Sequence, residues 1–103
     1  MKSKLLGKIK SVIKNVEPSA RVILFGSRAR KDHRRVSDWD LLILLNGQVD
    51  TMRIDRVRHS LYEVEWETGQ IISSIVRSAR QWNAPQYRSL PLHANVEKDG
   101  ILL

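Results

Sequence analysis

Asp38 and Asp40 stand one residue apart, and Gly26-Ser27 precedes them with ten residues between Ser27 and Asp38. In extended backbone, residues two apart project to the same face. Asp38-Trp39-Asp40 therefore sets two carboxylates side by side, their Cα atoms about 6.5–7 Å apart if the segment is a strand. Such a pair is costly to keep ionised unless a cation sits between the two groups. Mg²⁺ prefers oxygen ligands and is commonly held by one or two carboxylates together with substrate phosphates. Gly26-Ser27 follows the apolar run Val22-Ile23-Leu24-Phe25, where a turn can present backbone N–H groups to phosphate. A residue without Cβ also lets a phosphate approach the backbone closely.

Moving a nucleoside monophosphate requires an attacking hydroxyl, an α-phosphate and a pyrophosphate leaving group held in line, with cations on the entering and leaving oxygens. Asp38 and Asp40 supply the carboxylates. The N–H groups after Gly26, the Ser27 hydroxyl and Arg28 or Arg30 supply donors for the β- and γ-phosphates. Each piece has a plainer account. A lone Asp-x-Asp is more often a solvated strand end, a lone Gly-Ser a turn, and Ser37 a turn-former. The specificity lies in the combination, at this spacing and between two apolar strands.

Gly26-Ser27-Arg28-Ala29-Arg30, followed by Ser37-Asp38-Trp39-Asp40-Leu41-Leu42-Ile43, resembles the signature of the DNA polymerase beta superfamily, and within it the minimal nucleotidyltransferases. The resemblance covers roughly residues 5–80. It implies that Asp38 and Asp40 bind Mg²⁺, that Gly26 and Ser27 hold the triphosphate, and that a central sheet is flanked by helices. It also implies a partner, because members are commonly encoded beside a HEPN-domain protein. Several such pairs behave as toxin and antitoxin, and in some AMP passes from ATP to a tyrosine of the HEPN protein.

The chain departs from the family pattern in two ways. Lys31 stands where many members have Gly. More seriously, the superfamily's third carboxylate lies on the strand after the second long helix, and that segment here, Gln70-Ile71-Ile72-Ser73-Ser74-Ile75-Val76, has no acid. Glu63, Glu65 and Glu67 precede it and would share one face if extended, but the apolar spacing from Ile54 to Val64 favours a helix that spreads them around its surface.

The elements that must position these residues are legible as patterns. Leu5, Ile9, Val12, Ile13 and Val16 recur at helical spacing, and Pro18 should end that helix near Asn15 or Val16. Arg21 to Phe25 reads as a buried strand, after which Ser27 can cap a short helix through Arg30. Asp32 to Ser37 reads as an exposed loop. Asp38 to Leu45 reads as a second strand, apolar on both faces from Leu41 and hence central. Asn46-Gly47 is a turn signal. A second long helix follows over Thr51 to Thr68, with Asp50 or Thr51 as its cap and Gly69 at its left-handed end. Gln70 to Val76 is a third strand and Ala79 to Trp82 a helical turn. The segment around Ala84-Pro85 and Leu90-Pro91-Leu92 reads as irregular, and Ile101-Leu102-Leu103 as an apolar tail. The fold class is α/β or α+β, a small mixed sheet flanked by helices, in one domain over residues 1–103. Strand order is not legible.

The 103 residues suffice for one small core. The longest apolar run, Leu41 to Leu45, is far too short for a bilayer, and the lysine-interrupted start is no secretory signal. The chain has no cysteine, which excludes disulfides and thiolate metal sites. A cytoplasmic protein without membrane association is the simplest expectation. A net charge of +7 points to an anionic partner, and positive charge is densest from Arg28 to Arg35, between the Gly-Ser turn and the aspartates. His33, His59 and His93 lack the spacing of a metal cluster and read as surface residues. Trp39 must face away from the two acids, and Trp66 and Trp82 read as core or partner-facing.

The leading expectation is an enzyme that moves AMP from Mg²⁺-bound ATP to an acceptor hydroxyl presented by another protein. The alternative is a catalytically weak member, an antitoxin that neutralises a HEPN-type partner by contact, to which the absent third acid and the apolar tail point. Direct nucleic-acid binding ranks last, because no recognition helix and no aromatic-rich RNA-binding strand is present.

Overall fold

The structure is a computed structural model that describes residues 2–31 and 37–103. Of the loop expected over Asp32 to Ser37, residues 32–36, with His33, Arg34 and Arg35 of the basic run, lie outside the described residues. Helix α1 (Lys2–Val16) buries Ile9 and Ile13, and strand β1 covers Arg21–Phe25. The short helix α2 (Ser27–Arg30) leads toward strand β2 (Trp39–Leu45), whose residues 41 to 45 are all buried. Helix α3 (Thr51–Thr68) is capped by Asp50, whose carboxylate accepts the Arg53 backbone N–H at 2.9 Å. It ends at Gly69, in the left-handed region at φ 72°. Strand β3 (Ile72–Ser78) begins two residues later than the sequence pattern suggests.

With β4 the short strand Ile101–Leu102, the sheet order is β3-β2-β1-β4, with β1 antiparallel to β2 and β2 parallel to β3. Alternation in β2 divides the core between the two faces. Trp39, Leu41, Ile43 and Leu45 pack with Ile9, Ile13, Val57, Leu61 and Val64 of α1 and α3. Leu42 and Leu44 pack on the other face against Trp82 and Val96.

The C-terminal segment corrects the sequence reading. It is not irregular: α4 (Ala79–Trp82), α5 (Pro85–Arg88) and α6 (Pro91–Asp99) form there. Pro85 and Pro91 begin helices rather than breaking them, because a first-turn position has no intrahelical N–H bond to lose. The apolar tail is not free either. Strand β4 (Ile101–Leu102) pairs with Ile23 and Leu24 of β1, and the Leu103 N–H donates to the Val22 carbonyl at 2.8 Å. His93 is buried instead of exposed, its ring stacked on Trp82 at 4.5 Å between centroids. Trp82 lies in the core and Trp66 is almost fully exposed. Among the described residues no helix is long and apolar enough to cross a membrane.

One polar clamp ties this frame together. The Arg53 guanidinium donates from Nε to Glu17 Oε2 at 2.9 Å and from Nη2 to Glu17 Oε1 at 2.7 Å. Its Nη1 donates to the Asn46 and Gln48 carbonyls. One planar fork thus joins the end of α1, the turn after β2 and the start of α3. The hydrogen bond from Arg53 holds the Glu17 carboxyl below its ordinary range, against the opposing cost of burial. A depressed carboxylate contributes stability that is complete above its unfolded value and is lost as pH falls through the folded one. Glu17→Gln is therefore expected to cost about 1.5–3 kcal/mol at neutral pH, the worth of a charged hydrogen bond. It should also flatten the loss of stability below about pH 4.3, the usual range of a free glutamate. Urea unfolding of both proteins between acid and neutral pH measures this.

Candidate active site

The parallel pairing of β2 with β3 and the antiparallel pairing of β2 with β1 meet at Asp40. Across β2, Asp40 is in register with Phe25 on one side and with Ser73 on the other. Directly opposed residues project to the same face, so Asp40 and Ser73 stand side by side at the starts of their strands. Asp38 lies just before β2, and its Oδ2 accepts a hydrogen bond from the Ser73 hydroxyl at 3.2 Å. The two aspartates are near enough to interact. Partial burial, and then the Asp38 charge, push the Asp40 carboxyl up from its ordinary range, against a smaller opposing pull from Arg30. Trp39 between them is buried on the α1/α3 face, as the strand alternation requires, and its Nε1 donates to Gln70 Oε1 at 2.9 Å.

Gly26 lies directly against Asp40. Its backbone, at φ 76° and ψ −161°, occupies a region that only glycine enters readily. A Cβ there would overlap Asp40 Oδ2 and lie 3.2 Å from Asp40 Cγ. The chain turns so tightly that the glycine Cα and the aspartate carboxylate are in contact. Gly26 is also the N-cap of α2, and its carbonyl accepts the Ala29 and Arg30 N–H groups at 3.1 Å each. This corrects the expectation that Ser27 caps the helix: Ser27 is its first residue, so its hydroxyl is not committed to a cap hydrogen bond.

The two arginines separate. Arg28 donates from Nε and Nη2 to the Ser37 carbonyl at 3.2 and 2.9 Å, and its guanidinium lies 4.3 Å from the centre of the Trp39 ring. It thereby fastens the residue that precedes Asp38. Arg30 lies on the other side, close enough to stabilise the Asp40 charge and 3.9 Å from Asp99 of α6. Lys31 follows α2 with a left-handed backbone, φ 64°, the conformation for which glycine is favoured, and its N–H donates to the Ser27 carbonyl.

No acid joins Asp38 and Asp40 from the glutamates ahead of β3. Glu65 Oε2 instead accepts the Ile72 backbone N–H at 2.8 Å and pins the start of that strand. Glu67 pairs with Lys8, and Glu63 lies 3.7 Å from His59. Among the described residues no group of three or more His, Asp or Glu is gathered as a metal-ligand set. The place beside Asp40 on β3 belongs to Ser73. Spacing alone did not single out this serine, because the pairing register of two strands is a long-range property.

Residues 7–103 match the family described as Polymerase beta, Nucleotidyltransferase. The chain belongs to this nucleotidyltransferase family. It is 35% identical, over its whole length and 86% of the relative, to a Methanocaldococcus jannaschii protein named as a candidate protein adenylyltransferase. Two solved structures share the nucleotidyltransferase-family fold. One is described as a toxin–antitoxin with AMP-PNP, at TM-score 0.65 and 18% identity over 93% of this chain and 69% of that one. The other is a candidate nucleotidyltransferase from Sulfolobus solfataricus, at TM-score 0.59 and 24% identity over 96% of this chain and 76% of that one.

Proposed function

We propose that this nucleotidyltransferase-family protein transfers AMP from ATP to a hydroxyl presented by a partner protein, with Asp38 and Asp40 as ligands of Mg²⁺. The observation that carries the reading is the close approach of Gly26 to Asp40, whose carboxylate feels the charge of Asp38. It sets a backbone bend, from which α2 starts, against two adjacent carboxylates. The donor set fits a hard divalent cation: two carboxylates on one face, one of them resisting ionisation because of burial and its neighbour's charge. When bound, the cation would polarise the α-phosphate and neutralise the pyrophosphate leaving group. The chain's own residues do the rest. The N–H groups after Gly26, the Ser27 hydroxyl and Arg30 hold the β- and γ-phosphates, while Arg28 keeps Ser37 and hence Asp38 in place. The site lies at the starts of β2 and β3 with Asp38 and Ser73 exposed, so the acceptor can arrive on another protein's surface.

The relative named for protein adenylylation and the toxin–antitoxin neighbour support a protein acceptor. The HEPN-type partner is what the family resemblance adds. A second reading, an antitoxin that acts by binding with little transfer, draws on one observation: serine, not an acid, stands beside Asp40 on β3. Incubation with α-labelled ATP, Mg²⁺ and the protein encoded next to this one tests both. Transfer predicts label on the partner, abolished by a chelator and restored by added Mg²⁺. An unlabelled partner whose toxicity is nevertheless suppressed selects the binding reading.

A further inference from the structure

We propose that Ser73 is an intramolecular acceptor, so that the protein can place AMP on its own β3 strand. This deepens the proposed function and rests on it. The geometry is that of an acceptor held inside the site: the Ser73 hydroxyl is exposed and donates to Asp38 Oδ2 at 3.2 Å. Register brings the same side chain alongside Asp40, on the face where a triphosphate held from Gly26 would lie. The strand around it is held still. The Trp39 N–H donates to the Ile71 carbonyl and the Ile72 N–H to Glu65. An acceptor fixed inside the site does not depend on a second encounter, and well-oriented intramolecular reactions reach effective molarities on the order of 10⁵ M or more.

The step balances. The Ser73 Oγ attacks the α-phosphorus of ATP, and an Oγ–P bond forms. The bond from that phosphorus to the bridging oxygen breaks, and pyrophosphate leaves with the electron pair. The hydroxyl proton is released to solvent water, which the exposed Ser73 side chain meets. The product carries a phosphodiester against both aspartates, so one modification per chain closes the site to further nucleotide.

Intact-mass measurement after incubation with MgATP, followed by fragmentation, tests the proposal. Wild type should gain the mass of one adenylyl group, mapped to Ser73. Ser73→Ala should lose it and Ser73→Thr, which keeps a hydroxyl, should retain it, with thermal melts showing that both variants fold. An adduct mapped to Ser27 or elsewhere, or an equal adduct on Ser73→Ala, overturns the proposal. So does an unmodified wild type. In that last case, label on the partner in the same reaction leaves the proposed function standing, and label on neither protein removes both.

Discussion

Asp40→Asn should reduce AMP transfer by about three orders of magnitude while leaving the fold intact. The substitution keeps the shape of a side chain that is only partly buried, and it removes one negative charge from a pair whose members already repel. Folding should therefore be unharmed or slightly favoured, since the raised carboxyl of Asp40 is a cost that the amide does not carry. Cation binding should suffer instead. An amide offers one neutral oxygen where the carboxylate offers a charged one, and electrophilic stabilisation by a bound cation is worth several kcal/mol. With about 1.4 kcal/mol to each factor of ten, a loss near 4 kcal/mol gives the thousandfold figure. Single-turnover transfer of labelled AMP, beside a denaturant melt of the same preparation, measures both parts. An Asp40→Asn protein that transfers at the wild-type rate would remove Asp40 from the chemistry.

Gly26→Ala should be nearly as damaging, for a different reason. The backbone at Gly26 costs a residue with a Cβ about 1–3 kcal/mol. The added methyl would also overlap Asp40 Oδ2, so the carboxylate must swing away or the strand must shift. Either movement separates the bend from the acids, and transfer should fall about a hundredfold or more, since misplacement of about 1 Å can cost that much. Gly69→Ala is the control. Gly69 also has a positive φ, 72°, but a Cβ there meets nothing within 4 Å. It should lower stability by about 1 kcal/mol through strain alone and leave transfer unchanged. Equal transfer by the two variants would show that the contact with Asp40 has no catalytic consequence.

The arginines illustrate how neighbours in sequence part in space. Arg28 and Arg30 lie in the same short helix and carry the same charge. A separation of two residues turns them to different sides of that helix. One is taken up by the Ser37 carbonyl and the Trp39 ring, the other faces Asp40 and Asp99. Sequence spacing offered both as phosphate donors. The structure brings Arg30 near Asp40 and sets Arg28 against the Ser37 carbonyl and the Trp39 ring. Burial of His93 was likewise invisible along the chain, because it depends on Trp82 arriving from α4 to stack on the ring.

The chain by itself determined the pieces whose causes are local. Apolar recurrence at helical or alternating spacing marked α1, β1, β2 and α3, Gly69 marked the end of α3, and Asp38-x-Asp40 after Gly26-Ser27 marked the candidate site. Each of these depends on interactions within a few residues. Only the tertiary structure decided which strands pair and in what register. That register set Ser73 beside Asp40, drew residues 101–102 into the sheet edge, and gave Gly26 a carboxylate for a neighbour. The physical reason is that strand pairing and side-chain burial are contacts between distant segments. Their energy belongs to the assembled sheet and to no local stretch of sequence.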